Sequence, residues 1–429
     1  MPFFRRLDAS IRKITGESDP ARVAGLRFFW CDGLFSSFSD NLVLGFLELF
    51  LLSYGMSNSI IGLNTSIANL CASVSIIPGA LAISKIGSRK RVVVWTGGGI
   101  CRIGLLAIAA VPFFVGDATA AVICLVCINA IRTVMSNFSN PAWTSMVADL
   151  VPPKSRARYF GKRNVAVILA SIIAAPVAGA IIKSLSGSGR FPHLGFQAIF
   201  ALSCAIGLLS TVSFASIPDA AVSEATSPKP KGFPLRELLS DKRFVGFVAS
   251  ALVWNTALQL SAPFFNVYLV SGLGGNAATV GIVTAVSSVT TLFGQLVFTH
   301  ITDRKGDAFA LVVTGMLIPL LPFSWMIVTA PEQVAIINSA SGFLWAGYNL
   351  ANFNILLKLT PDKHRPEATA IYQTSVIASA AIGPIVGGAI ADAHGYKAVF
   401  AVSGVGRYVG MVLFVALVLG PGVFRAKRS

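Results

Sequence analysis

The sequence predicts an all-α integral membrane protein of twelve transmembrane helices, arranged as two pseudo-symmetric six-helix bundles. Composition, the length of the apolar stretches and an internal duplication carry that expectation. Of 429 residues, 54% are hydrophobic and only 12% charged, and the mean hydropathy is +0.73. A soluble domain carries about 25% charged residues, so a chain this apolar belongs in a bilayer. The same numbers exclude a disordered chain, a collagen and a disulfide scaffold. A formal charge of +16 would suit a nucleic-acid binder until the charges are mapped.

A membrane-spanning helix needs about 20 mostly apolar residues. Twelve stretches qualify: 27–53, 59–83, 92–114, 119–144, 164–185, 195–217, 244–270, 275–301, 308–329, 333–357, 369–391 and 398–420. Most links between them are short, so neighbouring spans run antiparallel. Gly, Ala and Pro inside the spans are what membrane helices tolerate. A β-barrel would alternate over segments of about 10 residues, and no such pattern occurs.

With the N-terminus in the cytoplasm, 28 of the 34 Lys and Arg fall in the N-terminal flank, the cytoplasmic links and the C-tail. The opposite side holds only Lys183, Arg190 and Lys397. This asymmetry predicts cytoplasmic termini and explains the basic balance as topology, so no nucleic-acid partner is expected. The N-tail sets Arg5, Arg6, Arg12 and Lys13 among Phe3, Phe4, Leu7, Ile11 and Ile14. That pattern fits either an anchor on the anionic leaflet or an ordinary positive flank.

The hydrophilic, Pro- and Ser-rich stretch 218–243 reads as a linker. It divides the chain into an N-tail (1–26), a first bundle (27–217), a second bundle (244–420) and a C-tail (421–429). The halves repeat each other: Leu150–Arg156 matches Leu359–Arg365, Ala175–Ala180 matches Gly383–Gly388, and Gly195–Ser203 matches Gly395–Ser403. Duplicated halves are what rocking-type transporters are built from.

Two motifs sharpen this reading. Asp303-Arg304-Lys305-Gly306 sits between spans 8 and 9, and a degenerate copy, Ser84 to Lys90 with Gly87, sits between spans 2 and 3. Gly383-Pro384-Ile385-Val386-Gly387-Gly388 occupies span 11, with a weaker copy, Ala175 to Ala180, in span 5. With twelve spans, cytoplasmic termini and a central linker, these motifs make the chain resemble the major facilitator superfamily over essentially its whole length. The resemblance implies gating roles for Gly87, Asp303, Arg304, Gly306, Gly383, Pro384, Gly387 and Gly388. It also implies a central cavity lined by spans 1, 4, 7 and 10. Where the family has an aspartate, the first copy has Ser84. Close packing alone explains the span-11 glycines equally well.

Ionisable residues inside a membrane are costly, so each is a functional candidate. Span 1 holds Asp32, Asp40 and Glu48, span 3 Arg102, span 4 Arg132 and span 12 Arg407. Asp32, Ser36, Ser39 and Asp40 form one polar stripe at helical spacing. Asp40 and Arg132, both near mid-membrane, are expected to pair in the cavity; the alternative is a static ion pair that fixes packing. Movement of the arginine would switch the carboxylate's affinity for a proton, which assigns proton coupling to Asp40, Asp32 and Arg132. Arg102 is expected to neutralise Asp32 or snorkel. Arg407 has no acidic partner in sight.

Expected substrate contacts are Arg132 and Asn137, then Trp254, Asn255 and Gln259 in span 7, and Trp345, Tyr348 and Asn349 in span 10. Aromatic faces with amides suit a partly apolar solute, and helix-to-helix amide contacts are the plain alternative. All six Cys lie in apolar spans and are expected as small core residues. Neither a P-loop nor a catalytic constellation occurs, so no metal, cofactor or enzymatic activity is expected.

The reading is a secondary transporter working by alternating access, exporting an amphiphilic or drug-like compound in exchange for protons. Its partners are that small molecule, protons and the lipid bilayer, and it works as a monomer in a bacterial plasma (inner) membrane. Uptake or facilitated passage of an anionic or polar metabolite is the alternative. A non-transporting receptor or a lipid scramblase on the same fold is the alternative from another class.

Overall fold

The computed structural model describes residues 2–152, 155–186, 192–218, 238, 240–359 and 365–420. Most of the expected linker, the expected C-tail, Arg190 and the side chain of Ser84 lie outside the described residues. Every regular element described is helical, which satisfies backbone groups within hydrocarbon.

Before the linker come α1 (Pro2–Thr15), α2 (Pro20–Val43), α3 (Phe46–Leu52), α4 (Asn58–Ile86), α5 (Arg89–Val92), α6 (Cys101–Phe114), α7 (Ala118–Leu150), α8 (Arg156–Ser186) and α9 (Leu194–Ala215). After it come α10 (Lys242–Ser261), α11 (Phe264–Ser271), α12 (Ala277–Lys305), α13 (Asp307–Leu317), α14 (Leu320–Ile327), α15 (Val334–Leu359), α16 (Arg365–His394) and α17 (Tyr396–Phe414). Short π-helical segments, Val93–Ile100 and Val415–Leu419, join α5 to α6 and extend α17.

Eleven helical stretches are long and apolar enough to cross a membrane. The remaining predicted stretch, 333–357, forms α15, whose 26 residues have the length. Its asparagines 338, 349, 352 and 354 keep its hydropathy below the others.

Several spans are broken where the backbone demands it. Asp19 starts α2 by accepting from the amides of Ala21 and Arg22 ahead of Pro20, a start pattern that satisfies otherwise orphaned donors. Gly45, at φ +79, divides α2 from α3, a left-handed conformation that costs glycine little. Pro263 and Pro319 divide α10 from α11 and α13 from α14, each removing an amide donor.

The chain forms two compact units, residues 1–54 with 71–228, and residues 55–70 with 229–429. In the first, α1 turns its apolar side inward: Ile11 is 1% exposed and packs with Val23, Leu26, Phe29 and Tyr159. Arg27 Nη1 donates to Asp8 Oδ2 at 2.9 Å. The apolar side of the N-tail is therefore docked on the unit's core, and Arg5, Arg6, Arg12 and Lys13 stay exposed.

Residues 55–70, expected in the first bundle, cluster with the second unit because their polar groups are satisfied there. Asp392 accepts from the Asn58 amide and side chain, each at 3.0 Å, and from the Ser59 amide at 2.9 Å. Tyr396 donates to Asn58 Oδ1 at 2.7 Å, and Asn69 to the Ala380 carbonyl at 2.9 Å.

The glycines of α16 allow close helix contact. A Cβ on Gly383 would lie 2.6 Å from Gln259 Cβ, and one on Gly387 would strike the Leu260 carbonyl. Gly387→Val is therefore expected to destabilise the second unit by about 1–3 kcal/mol, the usual cost of overpacking. A thermal unfolding midpoint in detergent equal to wild type would contradict this.

His193, in the link before α9, stacks on Tyr54 with centroids 4.4 Å apart and contacts Ser53 Oγ through Nδ1 at 3.2 Å. Burial holds its imidazole below the ordinary value. The folded chain thus binds fewer protons there than the unfolded chain. Its contribution is complete above the ordinary value of about 6.5 and is lost as pH falls through the lower folded value. Unfolding midpoints are expected to drop on acidification through that range, and His193→Gln to flatten that part of the profile.

Candidate functional site

The first unit contains a cavity of about 450 Å³ lined by Asp32, Ser36, Asp40, Arg102, Arg132 and Arg163 among others. Its floor is the polar stripe of α2. Asp32 is 7% exposed and Ser39 is fully buried, whereas the Asp40 side chain is 56% exposed.

Asp40 pairs with Arg102, not with Arg132. Arg102 Nη1 donates to Asp40 Oδ1 at 2.5 Å and to Ser39 Oγ at 3.1 Å, while Nη2 donates to Ser36 Oγ at 2.8 Å. Ser36 Oγ in turn donates to Asp40 Oδ2 at 3.1 Å. The expected pairing fails for a packing reason. Arg102 passes α9 at Gly207, where a Cβ would lie 2.5 Å from Arg102 Cδ and 3.0 Å from Ser39 Oγ. That gap lets an arginine from α6 reach α2.

Arg132 remains in the cavity wall with one hydrogen bond, from Nη2 to Asn129 Oδ1 at 3.1 Å, and its Nε has no partner. Glu48, in α3, keeps a buried carboxylate oxygen without a hydrogen bond, and Arg132 is the cation whose field reaches it.

Asp32 is served by a residue the sequence reading missed. Arg163 Nη2 lies 3.8 Å from Asp32 Oδ2, and Ser210 Oγ donates to Asp32 Oδ1 at 2.6 Å. The Arg163 guanidinium also sits 4.2 Å over the Phe29 ring and donates from Nε to the Phe29 carbonyl at 3.3 Å. A Cβ on residue 33 would occupy its place, so Gly33 makes room for it. The apolar window opened at residue 164, but α8 begins at Arg156 and carries Arg163 two turns into the helix. The cavity wall thus holds two carboxylates and three guanidinium groups, and Glu48, within reach of the Arg132 charge, lies outside that wall.

The second unit has its own cavity, about 310 Å³, walled by Phe265, Asn266, Trp325, Asn338, Trp345 and Arg407. Of the expected second-half contacts, Trp345 lines it. Trp254 and Tyr348 instead stack on each other, centroids 4.9 Å apart and 13° between planes, beside a cleft of about 10 Å³. Asn255 and Asn137 donate back to their own helices, to the carbonyls of Ala251 and Thr133 at 2.8 and 3.0 Å. Gln259 packs against Gly383, and Asn349 is exposed.

Gly87 and Gly306 adopt φ +70 and +83 with open space around them, the left-handed turns that glycine supplies. Asp303 and Arg304 are exposed. The ion pair beside that turn uses the next acidic residue instead: Lys358 Nζ meets Asp307 Oδ2 at 2.5 Å, and Asn354 donates to Asp307 Oδ1 at 2.7 Å. In the first unit, Arg89 meets Asp149 at 2.8 Å and Ser145 at 2.6 Å. Among the described residues the six cysteines are free and no metal-binding cluster occurs.

The sequence matches the family described as Major Facilitator Superfamily over residues 29–337 and again over 256–428. It is 23% identical over 390 residues to a multi-drug resistance efflux pump, PmrA, of Streptococcus pneumoniae serotype 4, covering 87% of this chain and 91% of that one. It is 24% identical over 254 residues to a multidrug resistance protein, MdtG, of Salmonella arizonae, covering 56% and 60%. Among solved structures, a mutant of the nucleoside transporter NupG aligns with TM-score 0.72 at 15% identity, covering 92% of this chain and 99% of that one. A bacterial homolog of the human lysosomal transporter Spinster, inward-facing and unoccupied, aligns with TM-score 0.64 at 16% identity, covering 95% and 97%. These structural likenesses carry the fold alone. Family match and helical architecture agree: the chain is a multi-pass integral membrane transporter, not an enzyme, and belongs to the major facilitator superfamily.

Proposed function

We propose that the chain exports an amphiphilic or drug-like compound in exchange for protons by alternating access, as a monomer in a bacterial plasma membrane with both termini in the cytoplasm. One observation carries the coupling: a cavity-facing carboxylate, Asp40, 56% exposed, is bonded to an arginine only 10% exposed. Water can deliver a proton to Asp40, while Arg102 is held by Ser36 and Ser39 whatever the charge on Asp40. Protonation of Asp40 removes the ion pair but leaves the arginine's serine contacts, so the two states differ by one local charge at low structural cost. Asp32, more deeply set and held by Arg163 and Ser210, is the second carboxylate on the same stripe. The multidrug names of the relatives favour export.

A second reading has its own support. The cavity wall carries one more cation than carboxylates, and Arg132 Nε has no partner. An anionic solute drawn to Arg132 fits that surplus, and passage would then need no proton exchange.

Inside-out vesicles holding a proton gradient, read with a quenched dye during addition of cationic amphiphiles, separate the two. Wild type is expected to dissipate the gradient with some compounds, and Asp40→Asn to abolish that response while compound binding persists. An undiminished response in Asp40→Asn sinks the coupling role. A silent wild type with Arg132-dependent anion flux selects the second reading.

A further inference from the structure

Arg407 of α17 is 2% exposed, among the most completely buried large side chains described. Its Nη2 donates to Ser261 Oγ at 2.8 Å, and its Nε has no partner. No described carboxylate pairs with it. A guanidinium buried without a counter-charge is expensive in a low-dielectric interior, and it lines the second unit's cavity.

The first unit indicates what is missing. Ser39 and Ser203 face each other at 2.9 Å there, with Arg102 donating to Ser39. In the second unit Ser261 and Ser403 face each other at 2.9 Å, with Arg407 donating to Ser261. The two serine bridges are counterparts in the duplication, since Ser203 and Ser403 close its matching segments. Beside Ser39, the next residue is Asp40, which neutralises the arginine. Beside Ser261, the next residue is Ala262, which lines the cavity. The second unit therefore repeats the serine bridge and sets an arginine on it, supplied by α17 where the first unit uses α6, but it has cavity space where its twin has a carboxylate.

We propose that this cavity binds a small aromatic carboxylate, whose carboxyl group stands in for the absent side chain and pairs with Arg407. The walls suit the remainder of such a ligand. Phe265, Trp325 and Trp345 supply aromatic lining, and Asn266 and Asn338 supply amides. A volume of about 310 Å³ is at the small end of ligand pockets, which matches a single-ring acid. The site is independent of the proton-coupling reading and is measured without a gradient.

The test uses the full chain in nanodiscs, titrated calorimetrically with benzoate, with neutral benzamide as the isosteric control. Benzoate is expected to bind at least ten-fold more tightly than benzamide. Arg407→Gln is expected to lose that difference. Ala262→Asp supplies the internal carboxylate and is expected to exclude benzoate while raising the unfolding midpoint, so it carries the test should Arg407→Gln not fold. Equal binding of benzoate and benzamide, no benzoate binding by wild type, or unchanged binding in Ala262→Asp would each overturn the proposal. Chloride competing with benzoate at equal concentration would overturn the aromatic class in favour of an inorganic anion.

Discussion

A guanidinium in hydrocarbon must be anchored and balanced, and much of this structure follows from meeting that demand. Arg102 and Arg163 reach their carboxylates because Gly207 and Gly33 have no side chain to obstruct them. The helices around them are held by hydroxyl contacts such as Thr211 to the Gly98 carbonyl and Ser37 to the Val167 carbonyl. Small residues, buried serines and arginines thus form one system. Close approach makes the polar contacts possible, and the polar contacts fix which helices approach.

The two units share one serine arrangement and diverge in the residues around it. Both retain a serine pair joining the first and last spans of a bundle. Around it the first unit has gathered carboxylates and guanidinium groups into a polar cavity, while the second has gathered rings and amides. The duplicated scaffold thus carries two cavities of different chemistry, one rich in charge and one rich in rings.

The fold was legible because apolar length is a direct consequence of bilayer thickness. So were the turns at Gly87 and Gly306 and the polar stripe from Asp32 to Asp40. The partners were not. Which arginine meets Asp40 depends on a missing Cβ on a third helix, a fact no single-helix pattern contains. Arg163 was missed because a hydropathy window stops at the first cluster of charge, although the helix does not. Asp307 escaped because it sits just after the turn glycine, at the limit of an apolar run. Trp254 and Tyr348 stack on each other beside a small cleft, an arrangement the sequence does not reveal because aromatic residues suit a core and a pocket equally well. α15 shows the converse: its amides lower the hydropathy of a helix that still has the full length.

The ion pairs at the ends of α7 and α15 have reversed polarity. Asp149 ends one helix and meets Arg89, whereas Lys358, at the matching position of the repeat, ends the other and meets Asp307. Two similar halves emerging in succession from a ribosome risk docking a helix onto the wrong twin. Here, a misplaced α7 would set Asp149 against Asp307, and a misplaced α15 would set Lys358 against Arg89. Like charges would meet in both errors, and only the native assembly pairs opposites. The reversal of charge at positions 149 and 358 gives the two helix ends partners of opposite sign.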